Sequence, residues 1–160
     1  MTRLTILVLV VLASASGCAR TIPNTTVEDT AENREVVEFM EEYRHAVEAR
    51  NVRRLLEMAS PRYLDDLGTP GGEDDLDFDR LREKLSRWRD RVVDVRYEIK
   101  YNRVTFDQRR IFVEFRYTAS FLLTTQGGDE RWSRRLGDHR LILTRDEESA
   151  DRPLRILSGM

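Results

Sequence analysis

The stretch that decides the fold is Glu35 to Pro61, EVVEFMEEYRHAVEARNVRRLLEMASP. Its apolar residues are Val36, Val37, Phe39, Met40, Tyr43, Ala46, Val47, Val52, Leu55, Leu56 and Ala59. They recur in steps of three and four, the period of a helix with one buried face. Thr30 or Asn33 can cap the first helix, with Glu32 and Glu35 near its positive end. This helix should run to about Ala49, where Arg50-Asn51 interrupts it, Asn being tolerant of the left-handed conformation. Val52 to Ala59 then forms a short second helix, stopped by Ser60-Pro61.

Downstream, Pro61 to Asp77 reads as a loop punctuated by Gly68, Pro70, Gly71 and Gly72. Its acids tempt a calcium reading. Asp75, Asp77 and Asp79 have the spacing, but Arg80 stands where the EF-hand needs Gly and Ser86 where it needs the bidentate Glu. A solvated acidic loop is the better reading. Asp77 caps a third helix, Phe78 to Asp90, with Leu81, Leu85 and Trp88 on one stripe.

From Val92 on, the period changes to two. Val93, Val95, Tyr97, Ile99 and Tyr101 alternate with charged residues, and Ile111, Val113, Phe115, Tyr117, Ala119, Phe121 and Leu123 repeat the pattern. Strands of that length must twist and coil, often through a bulge. Gln126-Gly127-Gly128-Asp129 is a turn, and Arg131 to Thr144 is a less cleanly patterned strand. There Gly137 implies a bulge or a close backbone approach. Leu154 to Leu157 is the last strand. The expected fold is α+β: three N-terminal helices packed on a strongly curved antiparallel sheet of about four strands.

The N-terminus gives an address. A basic Met1-Thr2-Arg3 precedes the apolar run Leu4 to Leu12, and Ala13 to Gly17 are small. That order is a signal peptide, too short to span a membrane as a helix. Ala15-Ser16-Gly17-Cys18 resembles a bacterial lipobox, with Ala15 where the family prefers Leu. The resemblance implies cleavage before Cys18 and attachment of diacylglycerol to its thiol. Two or three acyl chains hold a protein firmly where one is marginal. Ala19 stands where Asp would imply inner-membrane retention, so the resemblance implies an outer-membrane anchor facing the periplasm. The expected organisation is a leader over 1–17, lipidated Cys18 and a flexible tether to residue 34, and one domain over 35–160.

The helical hairpin carries a second resemblance. F-x-x-x-Y-x-x-A-V-x-A-R-N-V-x-x-L-x-x-M-x-S-P, from Phe39 to Pro61, resembles the opening of the nuclear-transport-factor-2-like superfamily, which includes ketosteroid isomerases and polyketide cyclases. The resemblance implies a cone with a pocket between helices and sheet. It also places Tyr43 where ketosteroid isomerases carry an oxyanion-stabilising phenol. No acid is fixed as that tyrosine's partner; Asp65, Asp66 and Asp138 are the candidates, and Leu141 or His139 falls near the second donor position. The plainer reading of Tyr43 is an amphipathic residue packing its ring on the sheet. His139 is a weak candidate base, and the adjacent Asp138 cannot orient it because neighbours on a strand face opposite ways. His45 lies on a different helix face from Tyr43 and reads as exposed. The expected pocket lining is Tyr43, Trp88, Tyr97, Phe115, Tyr117 and His139.

Acids and bases nearly cancel, 29 against 27, which leaves no basic face for nucleic acid. The one cysteine cannot form an internal disulfide, and no His/Cys cluster points to a metal. No Ser/His/Asp set, phosphate loop or dinucleotide pattern is present, and no cofactor is expected. The charged face of Arg96, Glu98 and Lys100 with Glu114 and Arg116 can pair across strands. In the superfamily an open sheet face is often a dimer surface.

The leading expectation is therefore a non-catalytic, lipid-anchored envelope protein that binds a protein partner or a small ligand. A small isomerase or cyclase using Tyr43 is the alternative, and a structural homodimer module the third. A Cys18→Ala variant should leave the membrane fraction, and mass spectrometry of the wild type should find Cys18 acylated. A variant that still sediments with membranes would refute the anchor.

Overall fold

The computed structural model describes residues 20–66, 74–125, 127–151 and 153–160. The leader and Cys18 lie outside them. Helix α1 spans Ala31–Glu48, α2 spans Val52–Met58 and α3 spans Phe78–Arg91. A two-residue pair, β1 (Leu64–Asp65) with β2 (Leu76–Asp77), closes the base of the segment expected to be loop throughout. The main sheet is fully antiparallel, in the order β3 (Val92–Asp107), β4 (Arg110–Thr124), β5 (Glu130–Arg145), β6 (Leu154–Ser158). Three helices pack on this curved four-stranded sheet, as the two sequence periods require.

Each helix starts on a capping side chain. Thr30 accepts from the Asn33 amide at 3.1 Å, Asn51 from Arg54 at 3.0 Å and Asp77 from Arg80 at 2.8 Å. The break after α1 differs in detail from expectation. Arg50, not Asn51, takes the left-handed conformation, at φ 50°. Asn51 is needed as the α2 cap, and the Arg50 guanidinium donates to the Val92 carbonyl. That bond ties the helical turn to the first residue of β3.

Strand length governs the shape. A 16-residue strand reaches about 50 Å, while 18 helical residues cover about 27 Å. The sheet outruns its helices, and it must coil to wrap them. Register shifts at Val93 and Asn102 in β3, and opposite Ile142–Leu143 at the β5–β6 pairing, mark where it bends. Gly137 is not a bulge: it pairs in register with Tyr117. It is instead the close approach, since a Cβ there would lie 3.3 Å from the Tyr117 ring.

The apolar faces meet in one core. Val36 and Met40 of α1, Leu55 and Met58 of α2, and Leu81 of α3 pack over Val113, Phe115, Leu141, Leu143 and Ile156. The hairpin turn between β3 and β4 is only Gln108-Arg109, with Gln108 at φ 51°. On the outer face the expected charge ladder is re-registered. Lys100 faces Arg116, whose carboxylate partner is Asp138 at 2.9 Å, and Glu114 lies 3.9 Å from Arg103.

The segment expected to be a flexible tether is packed against the domain where it is described. From Arg20 the chain is packed: Thr21 bridges Glu28, Asn24 turns at φ 63°, and Val27 is 2% exposed. The Thr26 amide donates to the Tyr101 carbonyl at 3.2 Å and its hydroxyl to that of Asn102 at 2.7 Å. These are carbonyls of the edge strand at its bulge, which would otherwise lack a partner. Polar composition hid this, because the segment is held by main-chain bonds and one apolar side chain. Val27→Ala should therefore cost about 2 kcal/mol in urea unfolding. A loose spacer would give no change.

Candidate functional site

The core does not fill the cone. On the concave face of β5, Leu143 and Leu141 give way to His139, Gly137, Arg135 and Ser133. None of these four supplies an apolar side chain, so the space beneath α3 stays open. The result is a cavity of about 830 Å³, the size of a site for a drug-sized ligand.

One wall is aromatic. Tyr43 from α1 meets Tyr97 of β3 edge-on at 6.4 Å, and Tyr97 meets Tyr117 of β4 at 5.9 Å. Tyr117 then meets His139 of β5 edge-on at 6.2 Å. Gly137 makes this wall possible, because the Tyr117 ring lies where a Cβ would press on it. Val47, Leu55, Leu85, Trp88, Phe121 and Leu123 supply the other apolar surface.

Of the six residues expected to line a pocket, five lie at this cavity. Tyr43, Trp88, Tyr97, Tyr117 and His139 all line the cavity. Phe115 does not: it is fully buried between Tyr101, at 6.5 Å, and His139, at 5.5 Å. Trp88 is half-buried, packing on the core with one side and facing the cavity with the other. His45 is exposed on α1, beside Arg44.

Tyr43 is 7% exposed, and burial pushes its phenol up to about 12. The hydroxyl that bears on it is that of Tyr97, itself raised by burial and by the neighbouring tyrosines. Both are neutral donors at physiological pH. The acids considered for a partnership with Tyr43 are engaged elsewhere. Asp65 lines the cavity, but it accepts from the Gly159 amide at 3.0 Å, with the Tyr63 hydroxyl 3.3 Å away. Asp138 points to the outer face and holds Arg116. Asp66 is exposed beside β1 and does not line the cavity.

His139 is likewise satisfied. Its Nε2 lies 2.5 Å from the Gly159 carbonyl, so the ring carries its proton there. The segment Gly159-Met160 closes that end of the cavity. The Met160 amide donates to the Tyr63 hydroxyl at 2.9 Å, and its backbone oxygen accepts from Lys84 at 3.2 Å. Sequence reasoning passed over these two residues because their contribution is main-chain. It also passed over Lys84, Arg87, Arg91 and Arg135, exposed charges that line the cavity.

Among the described residues, no group of three or more His, Cys, Asp or Glu is placed to hold a metal. No described helix is long and apolar enough to cross a membrane.

The fold is that of nuclear-transport-factor-2-like proteins. A nuclear-transport-factor-2-like superfamily protein from Salmonella enterica superposes with a TM-score of 0.61 at 10% identity, covering 78% of this chain and 85% of that one. A conserved protein from Planctomyces limnophilus gives 0.64 at 10% identity over 80% and 92%. A protein from Novosphingobium aromaticivorans assigned as a scytalone dehydratase gives 0.63 at 10% identity over 79% and 80%. No family model matches the sequence. No curated protein matches it either.

Two outcomes follow from this geometry. Gly159 sits at φ 96°, and a Cβ there would lie 2.4 Å from the Arg140 carbonyl oxygen. Gly159→Ala should therefore dislodge the segment and lower the melting temperature, with accelerated amide exchange at Met160. The tyrosines set the alkaline limit. Tyr43 ionises near 10 when unfolded and near 12 when folded, so its contribution is intact below pH 10. It is lost between pH 10 and 12, at about 1.4 kcal/mol per unit. Urea unfolding at pH 9 and pH 11 should show the fall, and Tyr43→Phe should make it shallower.

Proposed function

We propose that this chain is a lipid-anchored cell-envelope protein whose cone takes up a small, largely apolar ligand without transforming it. The observation that carries the reading is the open cavity of about 830 Å³ with tyrosine, tryptophan and leucine in its walls. A core filled by Trp88, Phe115 and Tyr117 would have left no room for any ligand. Phe115 lies beneath the wall instead, and the other two form part of it. The address rests on the leader and Cys18, with the lipidated residue on the outer membrane and the cone in the periplasm.

The isomerase or cyclase alternative needs an acid–base pair across a substrate from Tyr43. The nearer polar group is a second phenol, and Asp65 is occupied by Gly159. Two neutral donors can orient a carbonyl or hydroxyl but cannot move a proton between carbon atoms. That speaks for binding over catalysis.

One observation favours a protein partner as a second reading. Leu136 and Trp132 on the outer sheet face are 68% and 45% exposed. Arg96 lies over the Trp132 ring at 5.0 Å, and Arg116 and Asp138 pair beside Leu136 in the register. These charges break the apolar surface into pieces, so the cavity carries the stronger argument.

N-phenyl-1-naphthylamine, a neutral fluorescent probe, should bind one per chain with a dissociation constant in the micromolar range. Ser133→Trp, which places an indole in the cavity mouth, should weaken that binding at least tenfold while leaving circular dichroism unchanged. Undiminished binding in that variant would place the ligand elsewhere.

A further inference from the structure

The aromatic wall says what kind of body the cavity takes; the charges around it say what that body carries. Six titratable side chains other than His and Tyr line the space: Asp65, Asp90, Lys84, Arg87, Arg91 and Arg135. The two acids are occupied. Asp65 takes the Gly159 amide, and Asp90 lies 3.5 Å from Arg89. Among the bases, Lys84 donates to the Met160 backbone oxygen, and Arg87 lies 3.5 Å from Glu83.

Arg91 and Arg135 differ. Neither has a carboxylate within ion-pair distance among the described residues, whereas Arg87, the other arginine lining the cavity, lies beside Glu83. They come from different elements, the last residue of α3 and the middle of β5. Arg135 lies on the concave face between Ser133 and Gly137, where a strand over a closed core would carry an apolar residue. Both residues are exposed, so their guanidinium groups stay hydrated at the rim of the cavity, where a charged ligand can reach them.

Building on the binding reading above, we propose that the ligand is a small organic acid. Its apolar body lies against Tyr97, Tyr117 and Trp88, and its anionic group is held by Arg91 and Arg135. A planar carboxylate suits the guanidinium fork, which can bind it through two parallel N–H bonds. The neutral phenols of Tyr43 and Tyr97 supply donors deeper in the cavity and add no competing negative charge. The net excess of cations over anions around the cavity attracts such a ligand from solution.

The test compares 2-naphthoate with 2-naphthamide, which share a body and differ in charge, by fluorescence titration at pH 7. The wild-type chain should prefer naphthoate at least tenfold, with a preference that falls as salt is raised. The Arg91→Gln, Arg135→Gln double variant should bind naphthamide as before and lose the preference. The Lys double variant should keep most of it. Equal binding of the two probes by the wild-type chain would overturn the assignment of charge while leaving the cavity as a binding site. So would Gln variants that melt earlier, as when Arg91 serves only the carbonyl end of α3, yet retain the preference. Failure of both probes and of N-phenyl-1-naphthylamine to bind would overturn the binding reading itself.

Discussion

The pairing of β5 with β4 is the interaction on which the rest of this molecule depends. Fifteen successive residue pairs, from Arg110 opposite Thr144 to Thr124 opposite Glu130, run without a break in register. Because side chains alternate faces at every step, that register assigns each residue of β5 to one side or the other with no freedom to adjust. The half of the concave face bearing Leu141 and Leu143 meets the helices and becomes core. The half bearing His139, Arg135 and Ser133 is carried past them and becomes a cavity wall. Core and site are two ends of one strand.

The edges of the sheet show how the same chain manages strands this long. Beyond the Arg50 bond to Val92, edge strand β3 is pinned at three further places by groups from outside the sheet. The Glu48 carboxylate accepts from the Tyr97 amide at 3.1 Å, Thr26 occupies the Tyr101 and Asn102 carbonyls, and the Tyr101 hydroxyl donates to Glu41 at 2.7 Å. At the far end, Arg145 grips Glu35 with two bonds of 2.7 and 2.6 Å, joining the start of α1 to the end of β5. Burial of Glu41 opposes its ionisation, but its bonds from Tyr101 and Arg44 outweigh that and hold its carboxyl below the usual range. The Arg145 bond does the same for Glu35. An unpaired strand edge invites pairing with another chain. Here the helix and the N-terminal hairpin cover it.

What the sequence disclosed follows from how its signals work. Two clean periods, 3.6 then 2, fixed helices before strands, and single residues such as Thr30, Asn51 and Asp77 marked the starts. The aromatic lining was readable because Tyr97 and Tyr117 fall on the apolar face of their strands. What escaped was everything carried by the main chain or by charge. Arg20 to Asp29 shows few apolar residues, so its packing through Thr26 and Val27 left no periodic trace. Arg91 and Arg135 look like any exposed arginines in a chain rich in them. Phe115 was misassigned because alternation says which face a residue takes, not how deep it lies under its neighbours.

Gly137 joins these lines of reasoning. Its missing side chain admits the Tyr117 ring, which touches both Tyr97 and His139 and so completes the aromatic wall. A Cβ there would lie 3.3 Å from that ring, so Tyr117 would have to shift by a few tenths of an ångström to make room. The space beneath α3 is thus not a packing defect left by a weak strand. The glycine leaves the Tyr117 ring its place in the wall, and the space is lined on either side of that glycine by Arg135 and His139. A fold that needed only stability would have placed an apolar residue at Gly137 and another at Arg135. The chain forgoes both, and the geometry that results is the geometry of a container.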